Sequence, residues 1–262
     1  MTNTARIEHV PTVAQSIEGL RELIGIWEDG EEFVAVPIIK KSPLTGVAIR
    51  VLADHAVALT NSIVLLVEHD MFIQAAPLIR LTMECGITSA WYSVDLNSGK
   101  AANHEGARQR RLILESMFQD AGIGDEQLVN EAIENVRALA KYESAAARKF
   151  EQRCNKIVGG KDLYIHYRIL SQVSHAGLAL LDPYLHEVDI TSENPIGYAF
   201  LKKVNYTSAQ VSLGYQVSML CLTLTSWDNI SKDRPNSSRL QSVADRFGCN
   251  RNIELIKPPT DS

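Results

Sequence analysis

The chain carries only four cysteines, Cys85, Cys154, Cys221 and Cys249, and no two of them stand in a Cys-x-x-Cys spacing. That excludes the common zinc and dithiol motifs, and widely spaced thiols of this kind read as reduced and mostly buried. No glycine-rich phosphate loop occurs. Gly122-x-Gly124 and Gly159-Gly160 lack a following Lys-Ser/Thr and read as helix stops. A Gly-x-Ser-x-Gly nucleophile elbow is also absent. His55 and His69 fall on one helical stretch with Glu68 beside the second, but no Glu-x-x-His accompanies them, so no metal or other cofactor is expected. The longest apolar stretch, Val57 to Val67, is interrupted by Thr60, Asn61 and Ser62. It is too short for a membrane span and reads as a core helix. Met1 to Val10 has no apolar run of the secretory kind, and the expected compartment is the cytoplasm. A net charge of -5 is poor for wrapping nucleic acid. The local cluster Arg108, Arg110 and Arg111 reads first as a solvated helix surface and only second as a phosphate contact.

What is present is enough apolar material for a core: 45% hydrophobic and 22% charged residues, with a mean hydropathy of -0.06. Strand signals are scarce, while apolar residues recur every three or four positions, so the expected fold is all-α, a bundle of about six or seven helices. Helices are predicted over Val13–Trp27, Thr45–His69, Ile73–Val94 and Ala101–Ala121. Further helices are predicted from an Asp125 cap to about Val158, from an Asp162 cap over Leu163–Leu181, and over Tyr206–Ile230. Pro77 is tolerable only in a first turn. Pro37 and Pro43 mark a loop with a short extended piece at Phe33–Ile39. Residues 1–232 form the expected helical domain, and 233–262 a partly ordered C-terminal tail with little apolar periodicity. No internal repeat is visible.

One helix carries more polar residues than packing requires. In YIHYRILSQVSHAGLALL, at about 100° per residue, Tyr164, Arg168, Ser171 and His175 project within roughly 60° of one another, with Tyr167 just outside. An arginine that neutralises phosphate and a histidine that moves a proton suit metal-free phosphodiester cleavage. The structural alternative is that the same groups bond to facing helices and fix their register. A second polar spot, Arg80 and Glu84, stands at ion-pair spacing on the Ile73–Val94 helix. The two helices are expected to touch there, gathering Arg80, Glu84, Tyr167, Ser171 and His175.

Around these residues AAPLIRLTMECGITSAWY resembles the R-x3-E helix, and YRILSQVSHAGLALL the Y-x3-S-x3-H helix, of an uncharacterised family of bacterial helical proteins. That resemblance brings no established activity. Arg168 and His175 also form R-x6-H, which is similar to the R-x4-6-H motif of the HEPN superfamily. Active members of that superfamily are metal-independent ribonucleases that work as dimers with paired motifs at the interface. The resemblance implies a ribonuclease or defence-type effector acting on RNA as a homodimer, with His175 as acid or base and Arg168 on the phosphate. Tyr164, Ser171 and Glu84 would position them, with Arg80 and Tyr167 as further candidate site residues. The rival expectation is a non-catalytic partner-binding or regulatory protein whose polar cluster is structural.

Overall fold

The structure is a computed structural model that describes residues 10–29, 43–202, 204 and 206–256. Its helices are α1 (Val13–Glu28), α2 (Pro43–Glu68), α3 (Phe72–Val94), α4 (Ser98–Gln119), α5 (Glu126–Leu139), α6 (Ala145–Arg148), α7 (Phe150–Cys154), α8 (Gly160–Ser174), α9 (Ala209–Ile230) and α10 (Ser237–Phe247). A two-stranded antiparallel hairpin, β1 (Leu185–Glu187) and β2 (Tyr198–Phe200), pairs Leu185 with Phe200. The fold is all-α, as the periodicity requires. The predicted extended piece at Phe33–Ile39 lies outside the described residues.

α9 forms the axis. Leu213, Val217, Leu220 and Leu224 are buried on it together with Ser212, Thr223 and Ser226, so it is enclosed on all sides. Each hydroxyl in such a place needs a partner. Thr223 donates to the Met219 carbonyl at 2.7 Å and Ser226 to the Leu222 carbonyl at 2.8 Å, one turn back. This is why Thr223–Thr225, a run that would also suit a strand, sits in a helix. α3 and α2 pack on α9 and on each other, joined by a short turn at His69–Met71. Gly86 on α3 lets the backbones approach, since a Cβ there would stand 3.0 Å from the Met219 carbonyl oxygen. Across α2 and α9, Gln216 donates to the Thr60 hydroxyl at 2.8 Å inside the core. By length and composition α2 is apolar enough to cross a membrane, but Ile49, Ala53, Ala56, Ile63 and Val67 face the core. α1 starts with a capping box between Thr12 and Gln15 and buries Leu20, Leu23 and Ile26, each such side chain stabilising by about 2 kcal/mol.

Four local expectations are corrected. The helix expected from Asp125 to Val158 keeps its Asp125 cap, which accepts from the Gln127 N–H at 2.8 Å, but it breaks after Leu139. Ser144 and Lys149 are extended, and the short helices α6 and α7 fold inward to bury Ala146 and Cys154. Burial against neighbouring helices outweighs local propensity there. α8 is capped by Gly159 in the left-handed region rather than by Asp162, which instead places its charge in the first turn. α3 begins at Phe72, so Pro77 falls beyond the first turn. The segment read as a partly ordered tail contains α10, whose Leu240, Val243 and Ala244 are buried against α1 and α9. Three apolar positions in so short a helix left little periodicity to detect.

Candidate functional site

α3 and α8 meet as the spacing predicted, and the contact is polar. Arg80 and Glu84 share a 3.0 Å ion pair one turn apart on α3. From α8 the Tyr167 hydroxyl donates to the same Glu84 oxygen at 3.0 Å and accepts from an Arg80 Nη at 3.1 Å. Burial pushes the Tyr167 phenol above its ordinary range, so it is a neutral donor. The Arg80 guanidinium also lies over the tyrosine ring. Its Nε is buried and has no hydrogen-bond partner among the described residues. Phe150 of α7 closes the other side of Tyr167, with ring centroids 4.3 Å apart, and Tyr164 stacks alongside. The three-residue lock is half-buried and closes on itself through one Arg80 Nη, one Glu84 oxygen and the Tyr167 hydroxyl.

Arg153 joins this group and was not foreseen. Its guanidinium donates to the Ala146 carbonyl at 3.0 Å, the Ala147 carbonyl at 2.9 Å and the Thr88 hydroxyl at 2.6 Å, and it lies over Trp91. Burial lowers its pKa, and the Glu84 carboxylate nearby opposes that shift. The residue reaches the site only because the chain breaks at Lys149 and turns back, which a continuous helix would not allow. No sequence signal marks it.

The remaining predicted residues divide. Ser171 donates to the Tyr167 carbonyl of its own helix at 2.8 Å, a back-bond that Ser174 repeats to Leu170. α8 ends at Ser174, and His175 is extended (φ -110, ψ 148), with Gly177 N–H bonding back to its carbonyl at 2.7 Å. The expectation that His175 shares a helical face with Tyr164 and Arg168 is therefore corrected. Arg168 and His175 are both exposed, and neither side chain has a hydrogen bond or ion pair among the described residues. Around Arg168 the outward face of α8 shows Ile165 at 61% and Ile169 at 44% exposure, with Asp162 and Gln172 completing it. Among the described residues no three His, Cys, Asp or Glu side chains group as metal ligands.

A second unforeseen residue is His166. It stacks on Tyr215 of α9 at 4.0 Å, its Nε2 is buried without a partner among the described residues, and burial pushes its pKa down to about 4. A base held below its ordinary value of about 6.5 stays neutral in the fold and takes up its proton more readily when unfolded. Stability is therefore complete above pH 6.5 and falls as pH drops toward 4, with a slope approaching 1.4 kcal/mol per pH unit from this residue. His166→Phe keeps the stack and is expected to flatten that part of the profile. Urea unfolding of both proteins at pH 7 and pH 5 checks this, and equal pH slopes for the two would rule it out.

The family model described as a family of unknown function, DUF5677, matches residues 47–192, more than half of the chain. The chain belongs to the DUF5677 family. Its matched segment runs from α2 past β1 and contains Arg80, Glu84, Arg153 and Tyr167, so the polar lock lies wholly within the part shared with DUF5677. No curated protein and no solved structure matches the chain.

Proposed function

We propose that this DUF5677 protein is a non-catalytic helical module that self-associates through the outward face of α8, with the α3–α8 lock setting the register of that helix. The observation that carries this reading is the outward face itself. Asp162 and Arg168 lie three residues to either side of the exposed Ile165, on opposite flanks of it, and both are exposed without an ion pair among the described residues. Two copies of α8 crossing antiparallel about a two-fold axis at Ile165 bring Asp162 of each copy against Arg168 of the other. Ile165 then packs on its own symmetry mate. The face is thus its own complement in charge and in apolar surface. Four free thiols, three of them buried, support the cytoplasm as its compartment.

The test is sedimentation of charge variants. Arg168→Asp and Asp162→Arg should each weaken the dimer at least tenfold, while the double variant, with the charges exchanged, should restore it. A wild type that is monomeric at all concentrations, or a double variant no better than the singles, overturns the reading.

A specific observation favours a second reading, the HEPN-like metal-independent ribonuclease. The Arg168 and His175 side chains are exposed and unpaired among the described residues, which favours their meeting an RNA phosphodiester. In that reading His175 is the acid or base and Arg168 stabilises the phosphate. Cleavage of a mixed RNA pool without added metal, abolished by His175→Ala and Arg168→Ala at unchanged melting temperature, would establish it. An inactive wild type leaves the non-catalytic reading.

A further inference from the structure

Two cysteines that are far apart in sequence meet outside the family-matched segment. α9 presents Ser218 and Cys221, three residues apart on one face, to the loop that follows the left-handed Gly248 cap of α10. In that loop Cys249 lies 3.4 Å from the Ser218 hydroxyl, which sets its sulfur against the face of α9 that carries Cys221 one turn on, close enough for the two thiols to shift each other's acidity. Closing a disulfide there requires the loop to bring the two Cβ atoms to about 4 Å of each other.

The two sulfurs differ in access. Cys221 is fully buried, at 0% exposure, whereas Cys249 is partly exposed and lines a cavity of about 190 Å³ with Tyr215, Ser218, Asn250 and Asn252. A small molecule can reach the first sulfur only by way of the second. They differ in acidity as well. The neighbouring Cys221 thiol holds Cys249 below the ordinary thiol range, and that same proximity together with burial pushes Cys221 well above it. Cys85 and Cys154 are buried elsewhere, and burial pushes each up to about 12, so neither competes as a nucleophile.

We propose that Cys249 is a hydroperoxide-reactive thiol and Cys221 its resolving partner, together closing a reversible disulfide between α9 and the end of α10. In the first step the Cys249 thiolate attacks the terminal oxygen of a hydroperoxide. A sulfur–oxygen bond forms, the oxygen–oxygen bond breaks, and the departing oxygen takes a proton to leave as water or alcohol. The sulfur is oxidised to sulfenic acid and the peroxide is reduced. In the second step Cys221 loses its proton and attacks the Cys249 sulfur. The sulfur–sulfur bond forms, the sulfur–oxygen bond breaks, and the hydroxide leaves with that proton as water. The bridge fixes α10 to the central helix and is expected to raise the melting temperature by several degrees, an increase that dithiothreitol reverses.

The experiment treats the full wild-type chain with equimolar hydrogen peroxide, quenches with catalase, alkylates under denaturing conditions and maps the peptides by mass spectrometry. The expected product is a single cross-link between the Cys221 and Cys249 peptides, with Cys85 and Cys154 alkylated. In Cys221→Ser, dimedone should trap a sulfenic acid at Cys249. In Cys249→Ser, Cys221 should stay reduced. Cross-linking of other cysteines to the same extent, or oxidation of Cys249 to sulfinic acid without a cross-link in the wild type, overturns the proposal. The wild-type map decides even where a variant fails to fold.

Discussion

Arg153→Met is expected to lower the stability of the fold by about 3 kcal/mol, roughly 10 °C in melting temperature for a chain of this size. Methionine keeps the apolar stem and removes three donated hydrogen bonds, to the carbonyls of Ala146 and Ala147 and to Thr88. Those acceptors sit where water has little access, and each half-buried group left without a donor costs about 1 kcal/mol or more. Ala146 and Ala147 hold α6 against the bundle, so the variant releases the α6–α7 turn and with it the Phe150 ring that covers Tyr167. Calorimetry gives the loss in melting temperature, and the near-ultraviolet spectrum should report a changed tyrosine environment. A fall of less than 2 °C would mean that water replaces the guanidinium at no cost. Arg153→Lys is expected to recover only part of the loss, because an ammonium cannot span three acceptors with fixed fork geometry.

The second large effect belongs to a glycine. In Gly160→Ala the new methyl would stand 2.1 Å from the Cys154 carbonyl oxygen and 2.9 Å from its carbon, both backbone atoms that cannot rotate away. Relief requires α8 to move off α7 at its first residue. A cost of about 3 kcal/mol is expected, at the upper end for an overpacked site. The displacement also carries Tyr167 away from Glu84, so the variant should weaken the polar lock that it does not touch. Gly159→Ala is the control. That residue sits at φ 79 with nothing within 4 Å of a Cβ, and the substitution should cost only the left-handed strain of about 1 kcal/mol. Urea unfolding of both variants separates the two causes, and equal losses would mean that the close approach to Cys154 is not what requires glycine at 160.

Part of the site was legible in the sequence because its physics is local. Arg80 and Glu84 stand one turn apart on a long helix, and a charged pair on an apolar helix face needs a polar partner wherever that face is covered. Tyr167 on a helix of similar character supplied it. His175 was misplaced because the helix stops at Ser174, and the stop depends on backbone turns whose energies differ by little. Arg153 and His166 left no trace in the pattern. The first reaches its acceptors through a chain reversal, and the second is an ordinary histidine until Tyr215 of α9 lies against it.

The sequence by itself determined the helical class, the places of α1, α2 and α3, the cap at Asp125 and the absence of known metal and phosphate motifs. These follow from periodicity, capping chemistry and spacing within one turn or one element, which need no knowledge of distant residues. The tertiary structure alone decided where the chain from Leu139 to Cys154 breaks, that residues 237–247 pack as a helix, which side of α8 faces outward, and that Cys249 comes to rest on α9 beside Ser218. Each of these depends on burial against residues far along the chain, and the few kcal/mol gained there exceed the local preferences that a sequence displays.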